Sequence, residues 1–232
     1  SSTAARAALG AARRIEYRRA LRVSQCMVAT NLKSPRPASP PRGRGSARAR
    51  KAPLGREAWL QAGRDALIRE GIRGVEIGKL ARRLKVTRGG FYWFFDSRKQ
   101  LLDELLADWE RTNSAAFKAA LREPGGNGMA EFQSIVDIWI HEAGYSPAWD
   151  AAVRDWARVS TKVANAVRRV DEERIGVLQR VFADIGYAED EAFVRARVTY
   201  FHQVGYYAMG VQEPLDRRLR LLPLYTRVLT GR

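Results

Sequence analysis

The sequence predicts an all-α protein, and three observations carry the prediction. Apolar residues recur at three- and four-residue spacing through most segments after residue 55. Helix start and stop signals fall at the ends of those segments, among them Gly71, Ser97, Ser146-Pro147 and Glu189-Asp190-Glu191. No segment reads convincingly as a strand, and no internal repeat is present.

The elements follow in chain order. Residues 28–53 are rich in Pro, Arg, Ser and Gly and offer too little apolar surface to offset ordering entropy. They predict, with the residues before them, a disordered basic arm over 1–53 that touches DNA phosphates or serves as a solvated tail. Residues 1–26 are Arg-rich and acid-poor and are read as lying upstream of a start at Met27, a transit peptide being the alternative. Residues 56–70 predict a helix through Trp59, Leu60, Gly63, Leu67 and Ile68, ended by Gly71. Ile77, Leu80, Ala81 and Leu84 mark a second, short amphipathic helix, with Lys79, Arg82 and Arg83 on its other faces.

Thr87-Arg88-Gly89-Gly90-Phe91-Tyr92-Trp93-Phe94-Phe95 is ambiguous alone, since aromatics favour strands and glycines disfavour helix. With no partner strand in sight, and with Val86, Phe91 and Phe95 able to share a face, it predicts a short helix capped by Thr87. Ser97 and Gln100 then form a capping box for a helix reaching about Arg122, burying Leu101, Leu102, Leu105, Leu106 and Trp109. After a Pro124–Gly128 loop, helices are expected at 129–143, 147–160, 163–185, 189–210 and 215–230, with Pro223 kinking or splitting the last.

The charge is uneven. The chain has a formal net charge of +16. Residues 1–50 hold twelve Lys/Arg against Glu16 alone, whereas residues 113–232 are nearly balanced. A basic front on a neutral back points to a polyanion partner for the front and a different task for the back. Two short helices behind a supporting helix form a tri-helical helix-turn-helix unit, the arrangement that sets its second short helix in a major groove. Phe91 and Phe95 as anchors turn Thr87, Arg88, Gly90, Tyr92 and Trp93 outward, and Gly89 and Gly90 permit close approach to DNA.

The segment Leu80-Ala81-Arg82-Arg83-Leu84-Lys85-Val86-Thr87-Arg88-Gly89-Gly90-Phe91-Tyr92-Trp93-Phe94-Phe95, with Arg98 and Leu101-Leu102, resembles the recognition segment of the TetR family over about residues 56–106. The resemblance implies that Thr87, Arg88, Gly89 and Gly90 face base edges or flanking phosphates. It implies a phosphate contact from the Tyr92 hydroxyl and another from Arg98, with Trp93 and Lys99 beside them. Three positions depart from the family pattern: Lys85 stands where a turn glycine is common, Phe94 replaces a His, and Glu76 replaces a capping Ser or Thr.

Behind the arm (1–53), the resemblance implies a DNA-binding domain (54–110) and a helical effector-binding and dimerisation domain (111–232). Trp139, Trp156, Tyr200, His202 and Tyr206 are the candidate effector contacts, with core packing as the alternative for each. A homodimer through helices 189–210 and 215–230 is expected, with Phe193, Ala196, Tyr200, Val204 and Tyr207 as its seam. The implied partners are a double-stranded DNA operator and a small-molecule effector; the implied role is cytoplasmic, nucleoid-associated repression.

Rival readings are a helical enzyme or a basic protein that binds nucleic acid without sequence choice. Two histidines and the lone Cys26 make a poor metal site, so no metal or cofactor is expected. Gly74, Gly78 and Lys79 lack phosphate-loop spacing, and Leu80 stands where Ser or Thr is needed. No run approaches the ~18 continuous apolar residues of a membrane span. The uncharged run Val198–Gln212 is interrupted by His202, Gln203 and Gly205.

Overall fold

The computed structural model describes residues 55–120 and 127–232. The basic arm, Met27 and the stretch 121–126 lie outside the described residues, as does the expected helix end near Arg122. Eight α-helices occur among the described residues: α1 (Arg56–Glu70), α2 (Ile77–Leu84), α3 (Arg98–Ala120), α4 (Gly128–His141), α5 (Pro147–Ala157), α6 (Thr161–Ile185), α7 (Glu189–Ala208) and α8 (Leu215–Thr230). Two 3-10 turns, Ile72–Gly74 and Arg88–Trp93, join the first three helices, and no strand is present among these residues. No described helix is long and apolar enough to cross a membrane.

Local chemistry sets most of the boundaries. Gly71 takes φ +65°, which an L side chain rarely adopts, and its N–H closes α1 on the Leu67 carbonyl at 3.0 Å. Asn127, Ser146 and Ser160 each accept a hydrogen bond from a backbone N–H three residues on. Because Ser160 caps α6, α5 ends at Ala157 and α6 begins at Thr161, earlier than the periodicity implies. The Ser97 capping box forms with a one-residue shift. Ser97 Oγ accepts from Gln100 N at 3.2 Å, while Gln100 Oε1 accepts from Asp96 N at 2.6 Å. α8 continues through Pro223, so of the two expected outcomes the proline does not split the helix. Pro223 and Leu219, whose carbonyl loses its helical donor there, are both exposed, so water can replace that bond.

Two hydrophobic clusters organise the body. The first joins α1, α2 and α3 to the buried Trp149, Val153 and Trp156 of α5 and to Val163, Ala166 and Val170 of α6. Phe132, Ile135 and Trp139 of α4, Val181 and Phe182 of α6 and Ala192, Ala196 and Tyr200 of α7 build the second. Gly128 lets α4 start against the end of α6, since a Cβ there would meet the Val181 carbonyl oxygen and the Ile185 nitrogen at 2.7 Å each.

Candidate nucleic-acid interface

α2 and the following turn present a compact basic surface on a rigid base. Glu76 precedes α2 in an extended conformation and makes no side-chain cap; it pairs instead with Lys79 at 3.0 Å. Lys85 ends α2 at φ 58°, ψ 41°, the left-handed conformation that a turn glycine would adopt more easily. The chain then enters Arg88–Trp93 as a 3-10 turn, not the α-helix expected, and Thr87 makes no side-chain cap. Two consecutive glycines explain the difference, because each weakens an α-helix while a short 3-10 turn tolerates them.

The aromatic residues fix the orientation of this turn. Phe91 and Phe95 are buried and stack at 5.2 Å, and Trp59 meets Phe91 edge-on at 5.3 Å. The Arg56 guanidinium lies 4.8 Å from the centre of the Phe95 ring. With those two side chains pinned inward, Thr87, Arg88 and Gly89 are exposed and Gly90 is half-buried. Tyr92 is 55% exposed and Trp93 86% exposed. Both rings therefore stand on the outward side of the turn.

The basic residues divide into two sets. Arg83 pairs with Glu70, Lys79 pairs with Glu76, and the exposed Lys99 bonds Asp103 at 2.8 Å. Arg98 is half-buried and donates Nε to the Val75 carbonyl at 2.5 Å and Nη2 to the Ile72 carbonyl at 2.9 Å. It thus ties the start of α3 to the chain entering α2, a positioning role that its place in the motif did not reveal. Arg82, Lys85 and Arg88 are exposed and make no ion pair among the described residues.

In the body, Trp139, His202 and Tyr206 line one crevice of about 70 Å³ between α4, α7 and α8. That is several times the ~10–15 Å³ that one water needs. The His202 ring lies 5.2 Å from the Tyr225 ring, tilted at 48°, and burial holds its pKa below the usual histidine value. Trp156 is not brought to this crevice but packs in the first cluster. Tyr200 is also absent from it; its hydroxyl donates to Asp171 at 2.6 Å.

Tyr200 belongs to a buried polar network that the sequence reading missed. Arg154 bonds Asp150 at 2.7 Å and grips both oxygens of Asp171 at 2.6 and 3.0 Å. Arg174, only 3% exposed, donates to Asp150 and to the Asn113 carbonyl, and lies near the faces of Phe117 and Tyr145. The two guanidiniums hold the Asp150 carboxyl below its ordinary pKa against the opposing effect of burial. One signal was readable: Asp150 and Arg154 stand four apart on α5, the spacing at which opposite charges meet on one helix face.

The expected dimer seam needs correcting. Ala196 and Tyr200 are buried inside the chain, and Val204 and Tyr207 pack half-buried against the second cluster. The outward face of α7 carries Phe193, Val194, Val198 and Phe201, with Arg197 between the two phenyl rings at 5.1 and 5.3 Å. α8 adds exposed Leu215, Leu219, Leu224 and Val228.

Residues 60–105 match the family described as bacterial regulatory proteins, tetR family. No curated protein sequence matches. Among solved structures, the chain is similar to a transcriptional regulator from Rhodococcus sp. Rha1, with 18% identity and a TM-score of 0.56 over 77% of this chain and 95% of that one. It is also similar to the reduced form of NemR from E. coli, with 18% identity and a TM-score of 0.53 over 72% and 95% of the two chains. For the ketosteroid transcriptional regulator KstR2 of Mycobacterium tuberculosis the identity is 15% and the TM-score 0.53, over 78% and 95%. At these identities the likeness establishes the fold.

Proposed function

We infer, from the tetR-family DNA-binding domain that this transcriptional regulator carries at residues 60–105, that it represses transcription from a pseudo-palindromic operator. It binds that double-stranded DNA as a homodimer and lets go when a small-molecule effector enters the helical body. The single observation that carries the reading is the outward set of Arg88, Tyr92 and Trp93, held by the buried pair Phe91 and Phe95. Arg88 reads base edges, Thr87 and Tyr92 fix register on phosphates, and Gly89 and Gly90 let the backbone approach. Lys99 adds a flanking charge, and Arg98 positions α3.

The exposed row Phe193, Val194, Val198 and Phe201 of α7 supports dimerisation, because several large apolar side chains on one face seldom stay in water on a monomer. A two-fold axis there sets two recognition turns on half-sites about one DNA turn apart, ~34–36 Å, or somewhat more. The first hydrophobic cluster supplies the coupling. It runs unbroken from Phe91 to Trp149 and Val163, so a shift of α5 or α6 moves the recognition turn with it. Residues 54–110 then serve as the DNA-binding domain and 111–232 as the effector-binding and dimerisation domain.

Selection from a random duplex library tests the operator, and sedimentation tests the dimer. The expected results are an enriched inverted repeat and a dimer that Val198→Glu with Phe201→Glu converts to monomer. Enrichment of a single unrepeated site, or a wild-type monomer on DNA, would contradict the reading.

A further inference from the structure

Among the described residues, two buried polar atoms without a hydrogen-bond partner belong to side chains that border the same crevice. They are Thr199 Oγ1 and Gln203 Nε2, four residues apart on α7. Residues at that spacing are neighbours on one helix face. Thr199 is 1% exposed, so water does not serve its hydroxyl from bulk solvent. Native proteins rarely leave such groups unpaired, and each costs stability until something bonds to it.

The rest of the crevice narrows what that partner can be. Its walls are mostly apolar, with Phe132, Trp139, Tyr206 and Leu222 among them. Its two charged side chains are already engaged. Arg218 donates to the Trp139 and Ile140 carbonyls at 3.0 and 3.4 Å and lies 5.3 Å from the Tyr206 ring centre, and Glu213 pairs with Arg217 at 3.2 Å. Both side chains thus have protein partners, and beside them two further donors, on Thr199 and Gln203, have none.

We propose that this crevice takes a largely apolar molecule with one carbonyl-type oxygen, which accepts hydrogen bonds from both Thr199 Oγ1 and Gln203 Nε2. A carbonyl oxygen has two lone pairs and can accept both at once. The assignment of this molecule as the effector rests on the regulatory reading above; the binding chemistry does not.

The test compares acetophenone with ethylbenzene, which share ring and chain length and differ by the carbonyl alone. Binding of each to the full chain is titrated by saturation-transfer NMR. Wild type should bind acetophenone about tenfold more tightly than ethylbenzene. Thr199→Val keeps the shape and removes the hydroxyl; it should reduce that preference to about twofold or less without lowering Tm, because the lost hydroxyl had no protein partner. Gln203→Leu should act in the same direction. Equal affinity for the two probes in wild type, or an undiminished preference in Thr199→Val, would overturn the proposal. Operator binding is scored separately on the same samples. Ketone preference without operator preference would remove the regulatory role and leave the site, while the reverse would remove the site and leave the regulator.

Discussion

Arginine works in opposite ways at the two ends of this molecule. At the recognition turn, Arg82 and Arg88 stand in solvent with no ion pair among the described residues, on a base of buried aromatic rings. In the body, Arg174 is 3% exposed and Arg154 is half-buried, and carboxylates, a tyrosine hydroxyl and a backbone carbonyl receive their donors. The difference teaches where each charge is in use. A buried guanidinium must have its partners within the fold, because desolvation is costly. An exposed one is served by water and leaves its donors open to exchange, which is what the proposed DNA contact requires.

The largest effect should come from breaking the body's network. Asp150→Asn leaves Arg154 and Arg174 facing one another without the shared carboxylate, and should cost about 3–5 kcal/mol in denaturant unfolding. A loss under ~1 kcal/mol would mean the network does not hold the helices together. Arg98 is intermediate between the two kinds of arginine. Arg98→Gln should cost about 1.5–3 kcal/mol of stability through its lost bonds to Val75 and Ile72. The slope of DNA binding against salt should change little, whereas loss of a phosphate contact would lower it by about one unit.

At the recognition turn the pattern should invert. Arg88→Ala should leave stability within about 0.5 kcal/mol. The same variant should lose about 1–3 kcal/mol of discrimination between operator and scrambled duplex. Tyr92→Phe should weaken all duplexes about equally, as a phosphate contact does. Unchanged binding by both variants would misplace the recognition face. The smallest effect belongs to the turn itself. Lys85→Gly relieves a left-handed non-glycine residue and should stabilise the fold by about 0.5–1 kcal/mol in thermal unfolding.

These regions also differ in how far the sequence disclosed them. The recognition end is local: α1, α2, the left-handed position at Lys85 and the outward aromatics all follow from residues within a few turns of one another. The choice of a 3-10 turn over an α-helix at Arg88–Trp93 was hidden, because aromatics and glycines pull that segment in different directions. The body depends on pairings distant in sequence. Arg154 meets Asp171 seventeen residues on, and Arg174 meets Asp150 twenty-four residues back, and helical periodicity does not encode either pairing. α7 misled for a different reason. It is apolar on two faces, with Ala192, Ala196 and Tyr200 turned inward and Val194, Val198 and Phe201 outward, so spacing alone did not tell core from surface. Thr199 and Gln203 were passed over because a polar residue within an apolar run reads as an interruption until its surroundings are visible.

The most direct test of the central claim is competition between the DNA flanking the protein's own gene and random duplex of equal length, measured across a salt series. The account predicts that flanking DNA keeps its advantage at physiological salt while affinity for random duplex falls steeply. Equal affinities that collapse together with salt would mean that charge alone binds DNA, and would contradict a site-specific regulator.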